Sequence, residues 1–367
     1  MTRTYTYEIC VKFNKKLNEI VLLDRNIPYS GSQSNQDRLI ISKDGISIRC
    51  NRSTIIELGD IFHNYNSSIY NQILKAILYC FALDFDCHEI EQITIKLKNS
   101  KGVQINELIL NGIDLNQPLD NKIITDINFN PNNLEAIFNE NPKGKAVLIA
   151  LSSWLRASSS KNRTYSFEKY WVGFNALYSH IHSYLVANNL VTGKKIVANE
   201  QNKLINTRKY LLLNSNILHF SQIAASIYDQ NSLRKFRWYK MSKSEFDTQA
   251  KTVGFAGFMT RYKDERILSV FQELLPFRVG FLTTEGLYQS VLNHISSNIQ
   301  LHIINNVEVV LILCFKYIYY VRNKDFHGEK IDASYRLVLN KETKEYEELN
   351  KILSCLVVDL INGNNIF

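Results

Sequence analysis

Arg322-Asn323-Lys324-Asp325-Phe326-His327-Gly328 sets an obligate cation, an imidazole and a glycine within seven residues. Arginine stays charged and forks onto phosphate oxygens. Histidine gives or takes a proton near neutral pH. Together they suit cleavage of a phosphodiester without a metal, and RNA carries its own nucleophile in the 2′-hydroxyl. A base would take the 2′-proton, the oxygen would attack phosphorus in line, and an acid would protonate the departing 5′-oxygen. The nucleophile is tethered to its target, a histidine contributes general acid–base catalysis, and a fixed cation steadies charge on the non-bridging oxygens. One histidine per chain does not readily serve as acid and base at once, so a second copy or another group has to help. The competing reading is structural: Arg and His near a helix C-terminus oppose the helix dipole.

The element that must carry these residues is an apolar stretch over 299–322, expected as one long helix. Successive residues on a helix are about 100° apart, which leaves Arg322 and His327 about 140° apart on an unbroken one. Bringing both to one phosphate requires the helix to end or bend between them, and Gly328 is a suitable stop.

Upstream, Tyr5, Tyr7, Ile9, Val11 and Phe13 alternate with polar residues as a half-buried strand does. Leu39–Ser42 and Ile46–Arg49 flank Lys43-Asp44-Gly45, a hairpin signal. Ile69 to Phe85 has helical spacing, and Ile93, Ile95 and Leu97 alternate again. The first third is thus α+β with at least four short strands. Residues 115–144 hold three of the five prolines and mark the expected boundary. From Lys145 onward the pattern is helical: Ala146–Arg156, the stripe Phe167, Trp171, Phe174, Tyr178, Ile181, Leu185, then helices near 199–213, 216–228, 262–275 and 284–297, the stretch over 299–322, and a terminal helix from Leu349 to Leu360. The expected organisation is an α+β module over 1–140, a possible sensor or regulator, and an all-helical domain over 141–367.

Charge follows this division. The chain is 45% hydrophobic with a net charge of +8, enough apolar content for a packed core. Residues 1–140 hold 14 basic and 17 acidic residues, and the remainder holds 29 and 18. The basic excess lies wholly in the part carrying Arg322, which suggests a polyanionic partner. Arg234-Lys235-Phe236-Arg237-Trp238-Tyr239-Lys240 packs cations and aromatics without an acid. Arg234, Lys235, Arg237 and Lys240 are candidates for RNA contact, and a solvated amphipathic helix explains the segment equally well. Lys194 and Lys195 read as solvated loop residues.

Six scattered cysteines, mostly in apolar surroundings, suggest reduced core thiols and a cytoplasmic protein. Met1-Thr2-Arg3-Thr4 leads directly into a strand pattern, so no signal peptide is expected. The longest apolar run, Val309 to Phe315, is too short to span a bilayer. His180 and His182, two apart on a helix, have poor metal-ligand spacing, and Cys80, Cys87 and His88 lack a fourth ligand. Neither a metal nor another cofactor is expected. No phosphate-binding Gly-x4-Gly-Lys loop and no Gly-x-Ser-x-Gly turn occurs.

The segment Arg322–His327 resembles the Arg-x4–6-His signature of the HEPN superfamily, whose motif often begins Arg-Asn. A second block, Phe167-Glu168-Lys169-Tyr170-Trp171-Val172-Gly173-Phe174-Asn175-Ala176-Leu177-Tyr178, is similar to the aromatic helix that precedes the motif helix in many such domains. The resemblance covers about residues 145–367 and leaves the first third unexplained. It implies an all-helical, dimeric, metal-independent ribonuclease of phage defence, abortive infection or toxin systems. RNA, transfer RNA included, is then the substrate, and an activator or antitoxin a possible partner. Arg322 would polarise the scissile phosphate, His327 would be the acid/base, and Asn323 would orient the site. A homodimer would join two Arg–His pairs in one cleft. In toxin members silenced by nucleotidyltransferase antitoxins a Tyr stands two positions after the His. Here Glu329 does, so that scheme is not implied. The alternative from another class is a non-catalytic RNA- or nucleotide-binding protein or scaffold.

Overall fold

The structure, a computed structural model, describes residues 4–29, 35–326 and 341–367. Six strands form one antiparallel sheet: β1 (Tyr5–Phe13), β2 (Leu23–Pro28), β3 (Gln36–Ser42), β4 (Gly45–Arg52), β5 (Ile90–Lys98) and β6 (Gln104–Asn111), in the order β2-β3-β4-β1-β5-β6. The alternation in β1 is realised, with Tyr7, Ile9, Val11 and Phe13 buried. The expected hairpin joins β3 to β4 with Ser42 opposite Gly45. Gly45 is required there. Its φ is +133°, and a Cβ would meet the Val11 carbonyl oxygen at 2.1 Å.

The sequence reading missed β2 and β6, and both are edge strands. An edge strand with little buried surface carries little hydrophobic alternation to detect, and β6 has no fully buried residue. Across the sheet, Arg52 grips Asp37 with two bonds of 2.7 and 2.8 Å, both side chains buried. The helix Ser68–Leu83 packs on the sheet, with Phe81 edge-on to Phe13 at 5.7 Å.

After the sheet the chain is mostly helical. Helix Pro142–Ser159 starts on Asn141, which accepts from Gly144 N at 2.8 Å, with proline in the first turn. Helix Arg163–Ala187 starts on Asn162 in the same way. The two pack against each other tightly at Gly173, where a Cβ would lie 3.1 Å from the Ala150 carbonyl oxygen. The aromatic stripe of the second helix is core: Phe167, Trp171, Phe174, Tyr178, Ile181 and Leu185 are all buried.

The chain forms two compact units, residues 1–188 with 360–367, and residues 189–359. The expected boundary at 140/141 falls inside the first unit. The aromatic helix therefore shares its unit with the sheet, and Arg322 belongs to the second unit. Within the first unit the C-terminal residues are tied down by polar bonds, including Lys143 Nζ to the Asn364 carbonyl at 2.7 Å.

The second unit is built of short helices: Glu200–Leu213, His219–Ser226, Gln230–Arg234, Trp238–Glu245, Thr252–Met259, Glu265–Leu274, Val279–Thr284 and Tyr288–Gln300, then the segment from Asn306 and the helix Lys341–Asn362, which continues into the first unit. The single helix expected over 299–322 is corrected. One helix ends at Gln300, His302 turns the chain with φ +50°, and a new helix starts at Asn306. Asn305 decides this by capping, its side chain accepting from Glu308 N at 3.2 Å. Of the four short helices between 230 and 284, only those overlapping Arg234–Lys240 were weighed as helical from sequence, because a helix of five to eight residues gives too few turns for a periodic signal. Among the described residues, no helix is long and apolar enough to cross a membrane.

Candidate functional site

The helix that carries Arg322 runs as Asn306–Ile312, a π-helical turn Leu313–Tyr317, and Ile318–Phe326. Its start is anchored by a buried polar knot. Asp264 accepts from Asn305 N at 2.6 Å, and Arg266 donates to Asn306 Oδ1 at 3.0 Å. Arg266 also pairs with Asp264 at 2.7 Å and donates to the Tyr228 carbonyl at 3.0 Å. Glu308 in turn accepts from the backbone of Lys263 and Asp264.

The π-turn is held from outside. Tyr317 is fully buried, its ring 4.7 Å from Trp238 and 5.1 Å from Phe236. Its hydroxyl accepts from Arg237 N at 2.6 Å and donates to the Glu345 carboxylate. Burial raises its pKa, and the Glu345 charge adds to the effect. Such turns add a residue to the helix and recur at functional sites. One added residue rotates everything beyond it by about 100°, so the π-turn sets the direction in which Arg322 and Asn323 project.

Asn323 lines a cavity of about 700 Å³ wholly within the second unit. Around it stand Lys195 from the turn Gly193–Ile196, Arg208 and Lys209 from helix Glu200–Leu213, Arg261 just beyond helix Thr252–Met259, and Lys316 from the π-turn. Lys316 is neutralised by Glu245 and lies over the rings of Phe246 and Phe258, at 5.2 and 5.6 Å. Among the described residues, none of Lys195, Arg208, Lys209 and Arg261 forms an ion pair.

These four cations repel one another. Lys195 lies close enough to Lys209 to lower its pKa, with a smaller contribution from Arg208. Burial lowers the pKa of Arg208, and Arg261 pushes the same way. Tyr262 also lines the cavity and is only 2% exposed. Burial raises its pKa against the pull of the Arg208 and Arg261 charges.

Arg322 is half-buried. Its Nη1 donates to Asn323 Oδ1 at 2.9 Å and lies 3.7 Å from a Glu200 carboxylate oxygen. His327 and Gly328 lie outside the described residues, and so does the bend expected between Arg322 and His327.

The four other nucleic-acid candidates sit on helix Gln230–Arg234 and the stretch leading into helix Trp238–Glu245. Arg234 is exposed and paired with Glu273 at 2.7 Å. Arg237 is turned inward onto Glu345 at 2.5 Å. Lys235 and Lys240 are exposed. Of the interleaved aromatics, Phe236 and Trp238 are core, and Tyr239 is exposed against Phe277 at 5.2 Å. The segment thus offers cations to solvent but keeps most of its rings inside.

Elsewhere, His182 is buried and His180 stands 6.0 Å from the Phe367 ring. Among the described residues no group of His, Cys, Asp and Glu could hold a metal ion. All six cysteines are free, and all but Cys10 are buried. Of the cavity residues, sequence reasoning singled out Asn323, read Lys195 as a solvated loop residue, and passed over Arg208, Lys209 and Arg261. Arg208-Lys209 was visible as an adjacent basic pair in an expected helix, but nothing in the sequence aligned it with Lys195 and Arg261.

No known protein family, no curated protein and no solved structure matches this chain.

Proposed function

We propose that the second unit binds RNA in this cationic cavity and that the segment Arg322–His327 cleaves it without a metal. One observation carries the proposal: Asn323, bonded to Arg322, forms part of the wall of a cavity bearing four cations with no acidic partner among the described residues. Cations converging without a counter-charge suit a phosphate backbone. Arg322 is the phosphate ligand, His327 the acid/base, and Asn323 the residue that orients Arg322. The 2′-oxygen attacks phosphorus, the 5′-oxygen leaves with a proton, and the ends are a 2′,3′-cyclic phosphate and a 5′-hydroxyl. In line with the HEPN resemblance, the helical part acts as a homodimer whose second His327 supplies the missing proton carrier. The α+β module acts as the sensor of a cytoplasmic defence or toxin protein.

The test is incubation of the wild-type protein and the His327→Ala variant with total RNA and transfer RNA in EDTA, followed by analysis of fragment ends. Cleavage by wild type alone, with cyclic phosphate ends, is expected. A requirement for a divalent metal, or equal cleavage by the variant, overturns the mechanism.

A second reading is favoured by the Glu200–Arg322 pair, which partly neutralises the proposed phosphate ligand. In that reading the protein binds RNA or nucleotide without cutting it. Retained RNA binding with no cleavage in any condition selects this reading.

A further inference from the structure

We infer that the cavity between helix Glu200–Leu213 and the π-turn binds a compact polyphosphate, either as the chain of a nucleoside polyphosphate or as the inorganic chain itself. The inference uses the same cavity as the RNA reading but does not depend on cleavage.

The charge is too concentrated to be explained by a single diester. Lys195, Arg208, Lys209 and Arg261 come from three separate stretches of chain and converge on one space of about 700 Å³. Lys209 is destabilised as a cation by Lys195, and Arg208 by burial and by Arg261. Like charges held together cost free energy that rises as they leave water. The one acid on this wall, Glu245, is already engaged by Lys316. The cluster therefore lacks an anion, and the best complement is one whose charges are equally close-set. Consecutive RNA diesters are separated by a ribose and carry one charge each. Adjacent phosphates of a polyphosphate share a bridging oxygen and place their charges side by side.

The rest of the wall fits the same ligand. Arginine forks present paired donors to phosphate oxygens, and Arg208 is half-buried while Lys209 and Arg261 are exposed, which gives the site depth and a charged rim. The buried Tyr262 lines the same space. The volume is in the range of small-ligand sites, so a nucleoside attached to the chain also has room.

The experiment is calorimetric titration of the full chain in EDTA at constant ionic strength, with tripolyphosphate, ATP, AMP and sulfate as probes. Tripolyphosphate is expected to bind once per chain, at least about tenfold more tightly than sulfate, and ATP more tightly than AMP. The Arg208→Gln/Lys209→Gln double variant should lose about tenfold or more, and so should Arg261→Gln, whose exposed side chain can be replaced without disturbing the core. Lys101→Gln, in the first unit, should bind as wild type does. ATP binding better than tripolyphosphate means the nucleoside is also read, and equal binding means the polyphosphate chain alone is recognised. Tripolyphosphate no tighter than sulfate, AMP as tight as ATP, or undiminished binding by Arg261→Gln overturns the inference. The RNA reading stands or falls separately, on fragment ends.

Discussion

Arg322 donates to Oδ1 of its own neighbour, Asn323, at 2.9 Å. The bond makes the two side chains one unit: Asn323 faces the cavity while its oxygen holds the guanidinium in place. Asn323→Asp would replace a neutral acceptor with a carboxylate, neutralising Arg322 and adding a negative charge to the wall. The variant should bind single-stranded RNA about tenfold more weakly, a loss of about 1.4 kcal/mol. Fluorescence anisotropy with a labelled oligoribonucleotide measures this. Unchanged affinity would remove Asn323 from the site.

Salt dependence probes Arg261. For single strands, each neutralised phosphate contributes a slope of about −0.7 to the logarithm of affinity against the logarithm of salt concentration. Arg261 is an exposed cavity cation without an ion pair among the described residues. Arg261→Gln should therefore flatten the slope by about 0.7 across a potassium chloride series. An unaltered slope with uniformly weaker binding would place Arg261 off the RNA path.

The knot beneath the Arg322-bearing helix is a stability element. Arg266 and Asp264 are 5% and 0% exposed. Removing one member of a buried pair strands the other, at a typical cost of about 3–5 kcal/mol. Arg266→Met should show that loss in urea unfolding, and adding Asp264→Asn should restore part of it. A cost below about 1 kcal/mol would mean that the remaining bonds to Asp264 satisfy it.

Asp359 makes stability depend on pH. Its carboxylate accepts from Phe220 N and Ser221 N, both at 2.8 Å, and from Ser221 Oγ at 2.6 Å, at the start of helix His219–Ser226. Burial outweighs these bonds and the nearby His219, and raises its pKa to about 6. The unfolded value is about 3.9, so the folded state holds the proton more tightly. The group costs nothing below about pH 4, and its penalty grows as pH rises through 6, to about 3 kcal/mol. Asp359→Asn cannot titrate, so the variant should gain on wild type by about 2 kcal/mol between about pH 4.5 and pH 7.5. Any fixed cost of the amide is the same at both pH values. Urea midpoints at the two pH values decide the matter, and a gap that does not change with pH would refute it.

The strands with one buried face, the hairpin at Lys43-Asp44 and the long aromatic helix were all legible from sequence, since each is written in local periodicity or in one obligatory glycine. The edge strands and the short helices Thr252–Met259 and Val279–Thr284 were not, because they bury too little surface or run too few turns. The start of the Arg322-bearing helix was misplaced. Residues 299–304 look apolar enough to be helical, and it is the Asn305 cap and the Asp264–Arg266 knot that set the start at Asn306.

By itself, the sequence determined where the basic excess lies, the strand-then-helix order and the spacing of Arg322 and His327, since these follow from composition and near-neighbour spacing. Tertiary structure alone decided that Arg237 faces inward to Glu345, that Phe236 and Trp238 are core, and that Lys195, Arg208, Lys209 and Arg261 share one cavity with Asn323. Those four cations come from three separate stretches of chain. Convergence across such distances leaves no local pattern, because it arises from how helices pack rather than from how any one of them is spelled.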